Sequence, residues 1–251
     1  MLPSADSSSW LLPALAAAVF LLAGFVKGVV GMGLPTVAMG LLALWMTPAE
    51  AAALLIVPSC VTNLWQMQPW RRLPALLVRL APMQAGVVAG TLGGAWIWGA
   101  PAGAWAPRAL GLALVAYALW SLAGRRLAVA PPAEPVLGPL AGLATGLVTA
   151  ATGVFVLPAV PYLQALRWHG DELVQAMGIS FTVSTLALAA GLGLAGAGAG
   201  PGWPLSLAML LPALAGMALG AGLRRRLSPA VFRRCLLLGL LALGGHMLLR
   251  G

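Results

Sequence analysis

The sequence predicts an all-α, polytopic membrane protein made of two inverted repeats, each a broken, short-armed helix pair followed by three spans. Three observations lead to this prediction, and composition is the first. Of the 251 residues, 61% are hydrophobic and only 8% are charged, whereas a soluble domain carries roughly 25% charged residues. The second is that apolar runs of about 20 residues, the length that crosses a bilayer, recur along the chain. These runs are continuously apolar, which favours helices over a β-barrel.

The third observation is that the apolar segments come in the same order in both halves of the chain. Each half begins with two arms around a glycine-containing break and continues with three longer spans. The first-half segments are residues 10–30, 34–46, 49–68, 74–98 and 107–123. After a proline-rich linker, residues 124–136, the second-half segments are 137–153, 155–166, 172–194, 204–223 and 230–249. We therefore expect one transmembrane transporter domain, 1–251, with repeat 1 over 10–123 and repeat 2 over 137–249.

The starts of the two halves also resemble each other residue by residue. The first half carries LAGFVKGVVGMG (Leu22–Gly33) and the second carries LAGLATGLVTAATG (Leu140–Gly153). With a two-residue insertion, three glycine pairs align: Gly24 with Gly142, Gly28 with Gly146, and Gly33 with Gly153. In each half an apolar run follows, and then an acidic residue at the start of a helix rich in small residues. Together with the repeated order of segments, this indicates an internal duplication.

Basic residues collect in alternate connections, which predicts the topology. Cytoplasmic loops carry an excess of Lys and Arg, and the loops near 99–107 and 195–204 carry none except Arg108 just past the first. The arginines expected in the cytoplasm are Arg71, Arg72, Arg79, Arg125, Arg126, Arg224, Arg225, Arg226, Arg233 and Arg234. Because each arm pair returns to its starting side and three spans then cross, the first half starts outside and the second inside. Inverted repeats with broken segments are typical of secondary transporters, and this pattern does not indicate a nucleic-acid partner.

The stretch GFVKGVVGMGLP (Gly24–Pro35) predicts a helix break inside the membrane, next to Lys27, the only lysine of the chain. Pro35 suits the first turn of a restarting helix. The N-terminus of such a half-helix carries a partial positive charge and free N–H donors, which favour an anion. We expect two such ends to face one anion. The second half supplies the residues at the matching place: Thr149, Thr152 and Gly153.

Two alternatives remain open for these residues. Small residues also allow helices to pack closely in membranes, so each glycine has a structural interpretation. Lys27 lies about 25 Å along a helix from Trp10, at 1.5 Å per residue, and can extend to the cytoplasmic surface instead of binding substrate. Its counterpart in the second repeat, Thr145, is uncharged. The positive charge is therefore not required in both halves.

A second group of polar side chains lies on the two helices rich in small residues. Ser59, Thr62 and Asn63 share one face by helical spacing, and we expect Pro58 to kink that helix and free a carbonyl. Ser and Thr also bond to the backbone of their own helix, so a purely structural role stays open for each. The polar residues of the second helix are Gln175, Ser180, Thr182, Ser184 and Thr185.

Four stretches together resemble the TauE/SafE family of sulfite exporters. They are GFVKGVVGMGLPTVAMGLLAL, PAEAAALLIVPSCVTNLWQ, GLATGLVTAATGVFVLPAVPYLQAL and DELVQAMGISFTVSTLAL. The resemblance covers almost the whole chain and implies a multi-pass permease of the bacterial inner membrane. It implies a secondary carrier that moves small sulfur-containing anions, such as sulfite or sulfonates, mostly outward. By alternating access, the anion would bind at the glycine-broken helix ends.

The resemblance also implies a set of substrate-binding residues. One side of the site would be formed by Lys27, Gly28, Gly31, Gly33 and Thr36. Opposite them would lie Thr149, Thr152 and Gly153, and the path would be lined by Ser59, Thr62, Asn63, Ser180 and Thr182. We expect no cofactor and no metal. The expected partners are a small anion and the lipid bilayer.

Two other classes of function compete with a permease. A non-transporting membrane scaffold or assembly factor needs no inverted repeat, and it would tolerate changes at Lys27 or Thr152. A membrane-embedded enzyme needs convergent titratable groups, and the apolar segments contain no carboxylate beyond those at their starts. No GxxxxGK[ST], CxxC or HExxH motif is present, so neither ATP-driven pumping nor a metal site is indicated.

Overall fold

The computed structural model describes residues 8–68, 70–101, 103–124, 127–168, 170–196, 203–224, 226 and 228–250. Three of the predicted arginines, Arg125, Arg126 and Arg225, and residues 197–202 of a loop without basic residues lie outside these ranges. In the described part the structure consists of helices and their connections. The all-α prediction is therefore confirmed.

Ten α-helices follow one another in the described residues. They are α1 (Ser8–Val30), α2 (Leu34–Leu42), α3 (Pro48–Gln66), α4 (Leu73–Trp98), α5 (Trp105–Ala123), α6 (Glu134–Thr152), α7 (Ala159–Ala165), α8 (Asp171–Leu194), α9 (Trp203–Leu223) and α10 (Pro229–Arg250). Seven of these, all except α2, α3 and α7, are long and apolar enough to cross a membrane. The helix α3 has 19 residues, and its polar face lowers its hydropathy. The short helices α2 and α7 are the second arms of the two pairs.

The helix boundaries agree with the predicted segments except at the second arms. Helix α2 ends at Leu42 rather than at residue 46, and α7 begins at Ala159 rather than at residue 155. Residues 154–158 are not helical, in part because a residue that precedes a proline disfavours the helical region, and Leu157 precedes Pro158. Val154 and Phe155 are fully buried in this segment, and the Phe155 ring packs on Phe181 at 5.3 Å between centroids.

Two parallel helix pairs, α1 with α9 and α6 with α4, bring backbone against backbone at glycines. A Cβ atom on Gly28 would lie 2.3 Å from the carbonyl oxygen of Met217 in α9. A Cβ atom on Gly146 would lie 2.3 Å from the carbonyl oxygen of Val87 in α4. These two glycines are aligned in the sequence repeat. Close packing, the structural alternative, is therefore the role that the structure shows for Gly28.

Helices at equivalent positions of the two halves make equivalent contacts. Helix α1 packs on α9 and its counterpart α6 packs on α4, which is the counterpart of α9. The corresponding helices α3 and α8 pack on each other, and so do α5 and α10. Each half therefore completes its packing with helices of the other half.

Most of the described arginines lie at one end of the bundle, which we call the arginine-rich face. Here α1, α3, α5 and α9 end and α4, α6, α8 and α10 begin, whereas Arg108 near the start of α5 and Arg250 at the end of α10 lie at the opposite end. Two ion pairs join elements on the arginine-rich face: Arg72 with Glu172 at 2.7 Å, and Arg79 with Glu134 at 2.6 Å. At the opposite end the N–H of Ala49 donates to the carbonyl of Pro101 at 3.2 Å. That the arginine-rich face is cytoplasmic stays a prediction.

Gly90→Ala is expected to destabilise the bundle, because the new Cβ would lie 2.3 Å from the carbonyl oxygen of Leu143 on α6. Overpacking costs typically about 1–3 kcal/mol or more. Gly93→Ala on the same helix is the matched control, since no atom lies within 4 Å of its Cβ position. Replacing a helical glycine by alanine stabilises by up to about 1 kcal/mol. Melting temperatures in detergent measure both changes, and an equal loss in the two variants would contradict the glycine contact.

Candidate functional site

Lys27 lies inside the bundle and does not reach the surface. Its residue is only 4% exposed, and its Nζ atom donates hydrogen bonds to two side chains of α3. These are Thr62 Oγ1, at 3.1 Å, and Asn63 Oδ1. The alternative in which Lys27 extends to the membrane surface is therefore wrong. The structure places the only lysine of the chain at the meeting point of α1 and α3.

Pro58 opens the hydrogen-bond ladder of α3 next to this contact, as the sequence predicts. Because proline has no N–H, the carbonyl of Leu54 loses its helical partner. The hydroxyl of Ser206 on α9 donates to that carbonyl at 2.9 Å and accepts the N–H of Val57 at 3.3 Å. The sequence analysis missed Ser206, since only the packing of α9 on α3 brings it there. The carbonyl of Pro58 itself accepts the hydroxyl of Thr62 at 2.7 Å.

Several buried polar atoms of α2 and α3 have no hydrogen-bond partner among the described residues. Asn63 uses its Oδ1 atom for Lys27, while its Nδ2 donor group remains unpaired. The hydroxyls of Ser59, on the same face of α3, and of Thr36, in the first turn of α2, are also unpaired. All three residues are 0% exposed. Unsatisfied buried donors are costly in a protein interior, so such a group is a candidate site for a polar ligand.

The glycine break positions the start of α2 beside Lys27. Gly31 has φ +83° and Gly33 has φ +109°, a region that side chains other than glycine rarely adopt. The N–H of Gly31 donates to the carbonyl of Lys27 at 2.8 Å and ends α1. Helix α2 then starts with Gly33 at its N-cap and a proline in the first turn, as predicted.

No carboxylate neutralises Lys27 in the described part of the chain. The ion pairs found there join Arg72 to Glu172 and Arg79 to Glu134, both on the arginine-rich face. Glu134 and Glu172 therefore neutralise arginines of this face, and the buried ammonium group has neutral partners only. No group of three or more His, Cys, Asp or Glu side chains in the described residues is arranged to bind a metal ion.

The hydroxyls predicted in the second half bond mainly within their own helices. Thr149 donates to the carbonyl of Thr145, and Thr152 to that of Val148, both at 2.7 Å. Thr182 donates to Gly178 at 2.8 Å. These three hydroxyls therefore have the purely structural role that the sequence left open, which is a hydrogen bond to the backbone of their own helix. Ser180 and Ser184 differ, because their buried hydroxyls have no partner among the described residues.

The break at Gly153 lies against α2 and α3. A Cβ atom on Gly153 would lie 2.6 Å from Met39 Cε and 3.4 Å from Ala52 Cβ. Met39 lies in the second turn of α2, the short helix that starts at the first break. The second break therefore meets the helix that follows the first one. That both helix ends face one anion stays a prediction.

We expect Lys27 and Asn63 to depend on each other for stability. Asn63→Leu should destabilise the protein by roughly 1–3 kcal/mol or more, because it leaves a buried N–H donor of Lys27 without its hydrogen-bond acceptor. Lys27→Met combined with Asn63→Leu should recover much of this loss. Unfolding of the four members of the double-mutant cycle measures the coupling. Thr185→Val, which removes a hydroxyl bonded to its own helix, is the control, and purely additive effects would disprove the coupling.

Comparison with known proteins connects this geometry to one family. The family model described as "Sulfite exporter TauE/SafE" matches residues 16–247. No curated protein and no solved structure matches the chain. The matched range contains the glycine break, the buried lysine and both halves of the bundle. Seven helices of spanning length together with this match define a multi-pass membrane permease, and the chain belongs to the TauE/SafE family of sulfite exporters.

Proposed function

We propose that this chain is a secondary permease for small sulfur-containing anions, such as sulfite or an organic sulfonate, which it exports across the bacterial inner membrane. One observation carries the proposal. Lys27 is buried in the bundle, and its hydrogen-bond partners, Thr62 and Asn63, are neutral. An ionised ammonium group without a counter-ion is costly inside a membrane protein. An anion from solution is the natural counter-ion.

The groups around Lys27 suit an oxyanion. Asn63 offers free N–H donors beside the ammonium group, and the hydroxyls of Ser59 and Thr36 are free to donate. Charge-assisted hydrogen bonds of this kind are roughly twice as strong as neutral ones. Next to Gly31 there is space, because no atom lies within 4 Å of its Cβ position. We place the substrate here, with the partial positive charge of the α2 N-terminus nearby.

The exchange of packing partners between the halves supports alternating access. We propose that the halves form an inverted repeat, because α1 on α9 and α6 on α4 are equivalent contacts. In this arrangement the break after α1 lies toward the arginine-rich face, and the break at Gly153 lies toward the other end. Rocking of one half against the other would then expose a site between them to each side in turn. Ser180 and Thr182 on α8 line the proposed path, together with Thr149 and Thr152 on α6.

The test is anion flux in proteoliposomes that contain the purified chain. Sulfite efflux is compared with efflux of taurine, sulfate and chloride, for wild type and for Lys27→Met. The variant should lower sulfite flux by more than about tenfold, because it loses a charge-assisted hydrogen bond worth roughly 1.5–3 kcal/mol. Arg234→Gln, which removes an exposed positive charge, is the matched control and should leave the flux unchanged.

The possible results separate the competing functions. Selective flux that survives in Lys27→Met would move the anion site away from Lys27 and leave the permease in place. Absence of flux for every anion, from wild-type protein with a normal melting transition, would favour a membrane scaffold. Gel filtration and melting of each variant establish that a lost flux does not come from unfolding.

A further inference from the structure

A cleft of about 730 Å³ opens on the arginine-rich face, away from Lys27. It lies between the end of α5, the linker that follows, α7, the loop before α8 and the starts of α8 and α10. Its size falls within the roughly 300–1,000 Å³ of small-molecule sites. The function proposed above assigns no role to this cleft.

Two arginines line the cleft, Arg167 and Arg233, and no acidic residue does so among the described residues. The ion pairs of this face use Arg72 and Arg79 instead, so Arg167 and Arg233 have no carboxylate partner in the described part. Arg167 also has φ +59° and is the described non-glycine residue with a left-handed backbone. Such strained conformations cluster at functional sites, ligand clamps among them.

The walls of the cleft combine apolar rings with polar groups. Trp120 and Trp168 contribute the rings, while Ser121 and Gln164 contribute hydrogen-bonding groups. The guanidinium of Arg79 stacks on the Trp168 ring at 4.8 Å and is bound by both oxygens of Glu134 at 2.6 and 3.0 Å. This stack fixes the position of the Trp168 ring. An apolar wall with a few convergent charged groups is typical of a site for a small organic anion.

A short series of side chains on α5 connects one wall of the cleft to the glycine break. Ser121 lines the cleft, and Tyr117 lies one turn deeper on the same helix, α5. The hydroxyl of Tyr117 donates to the sulfur of Met32 at 3.4 Å, and Met32 lies between Gly31 and Gly33. A contact of one side chain therefore separates the wall of the cleft from the break beside Lys27.

We propose that this cleft is a second anion-binding site, in which Arg167 and Arg233 bind the sulfite or sulfonate group before it passes to Lys27. The inference rests on the proposed permease function and adds an entry site to it. Arginine binds oxyanions such as carboxylate and phosphate with paired N–H donors, and two unneutralised guanidinium groups raise the local concentration of anions. A lipid headgroup phosphate shares this oxyanion chemistry. We favour the free anion because Tyr117, one turn from the cleft residue Ser121, contacts Met32 in the glycine break.

The test is equilibrium binding of ³⁵S-labelled sulfite to the full chain in nanodiscs of phosphatidylcholine, repeated with added phosphatidylglycerol. Wild type should bind two anions per chain. Arg167→Gln combined with Arg233→Gln should lose one of them, and Lys27→Met should lose the other. Arg234→Gln, on an exposed residue next to Arg233 that does not line the cleft, is the matched control and should keep both. Melting temperatures verify that each variant is folded.

The same variants are measured for flux as a function of sulfite concentration. The double arginine variant should raise the half-saturating concentration about five- to tenfold, which corresponds to a loss of roughly 1–1.4 kcal/mol of binding energy. Its maximal flux should stay within about twofold, because Lys27 is intact and only the loading step is weakened.

Each outcome decides between the two proposals. If the double arginine variant binds and transports like wild type, the cleft is not an anion site, and the permease stands. If the arginine variant loses an anion and Lys27→Met loses none, the cleft is confirmed and the Lys27 site fails. If wild type binds one anion in phosphatidylcholine and the arginines matter only with phosphatidylglycerol, the cleft binds a lipid headgroup and the entry site is overturned.

Discussion

Close contact of helix backbones is the constraint on which the rest of this structure depends. In a bilayer, apolar side chains gain little by leaving lipid for one another, so helix association relies on packing at small residues. Here the glycines of α1 meet α9 and those of α6 meet α4, with distances that leave no room for a side chain. Because each pair joins one half of the chain to the other, the halves interlock. The short helices α2 and α7 and the extended residues 154–156 are then buried by protein, where irregular backbone is tolerated.

The second principle of the structure is the satisfaction of polar groups. Pro58 removes a hydrogen bond from α3, and Ser206 supplies the missing partner from α9. Five threonines on α6 and α8 donate to carbonyls of their own helix. Against this background Lys27 stands out, since a charge receives only neutral oxygens. The bundle supplies a partner for the freed carbonyl of Leu54 but no counter-ion for the ammonium group of Lys27. A buried charge of this kind is costly, and charges inside membrane proteins are typical of functional sites.

The acidic residues of the described chain divide the arginines into two groups. Glu134 and Glu172 neutralise Arg79 and Arg72 and thereby connect α4 with α6 and α8. Arg167 and Arg233 stay unneutralised at the cleft, and Lys27 stays unneutralised farther inside. In the transport that we propose, two positive positions at successive depths would let an anion enter. Distributing the binding over two sites would also let the anion leave, as conduction through membrane proteins requires.

The sequence by itself determined the helical membrane class, the ten helices, the glycine repeat and the side on which arginines collect. These are local properties: the length of an apolar run, a proline at a helix start, or an arginine in a short connection. The family resemblance also rests on contiguous motifs, and the family match over 16–247 agrees with it.

Only the tertiary structure decided which side chains meet. Gly90 and Gly93 lie one turn apart on α4. A Cβ atom on Gly90 would collide with α6, whereas no atom lies within 4 Å of the Cβ position of Gly93. Lys27 lies against Asn63 rather than at the surface, and the break at Gly153 lies against Met39 and Ala52. Ser206, the partner of the Leu54 carbonyl, also comes from a distant part of the chain. The same holds for the residues that line the cleft around Arg167 and Arg233. Such contacts depend on which helices become neighbours and how each is rotated about its axis, and no periodicity within a single apolar segment specifies either.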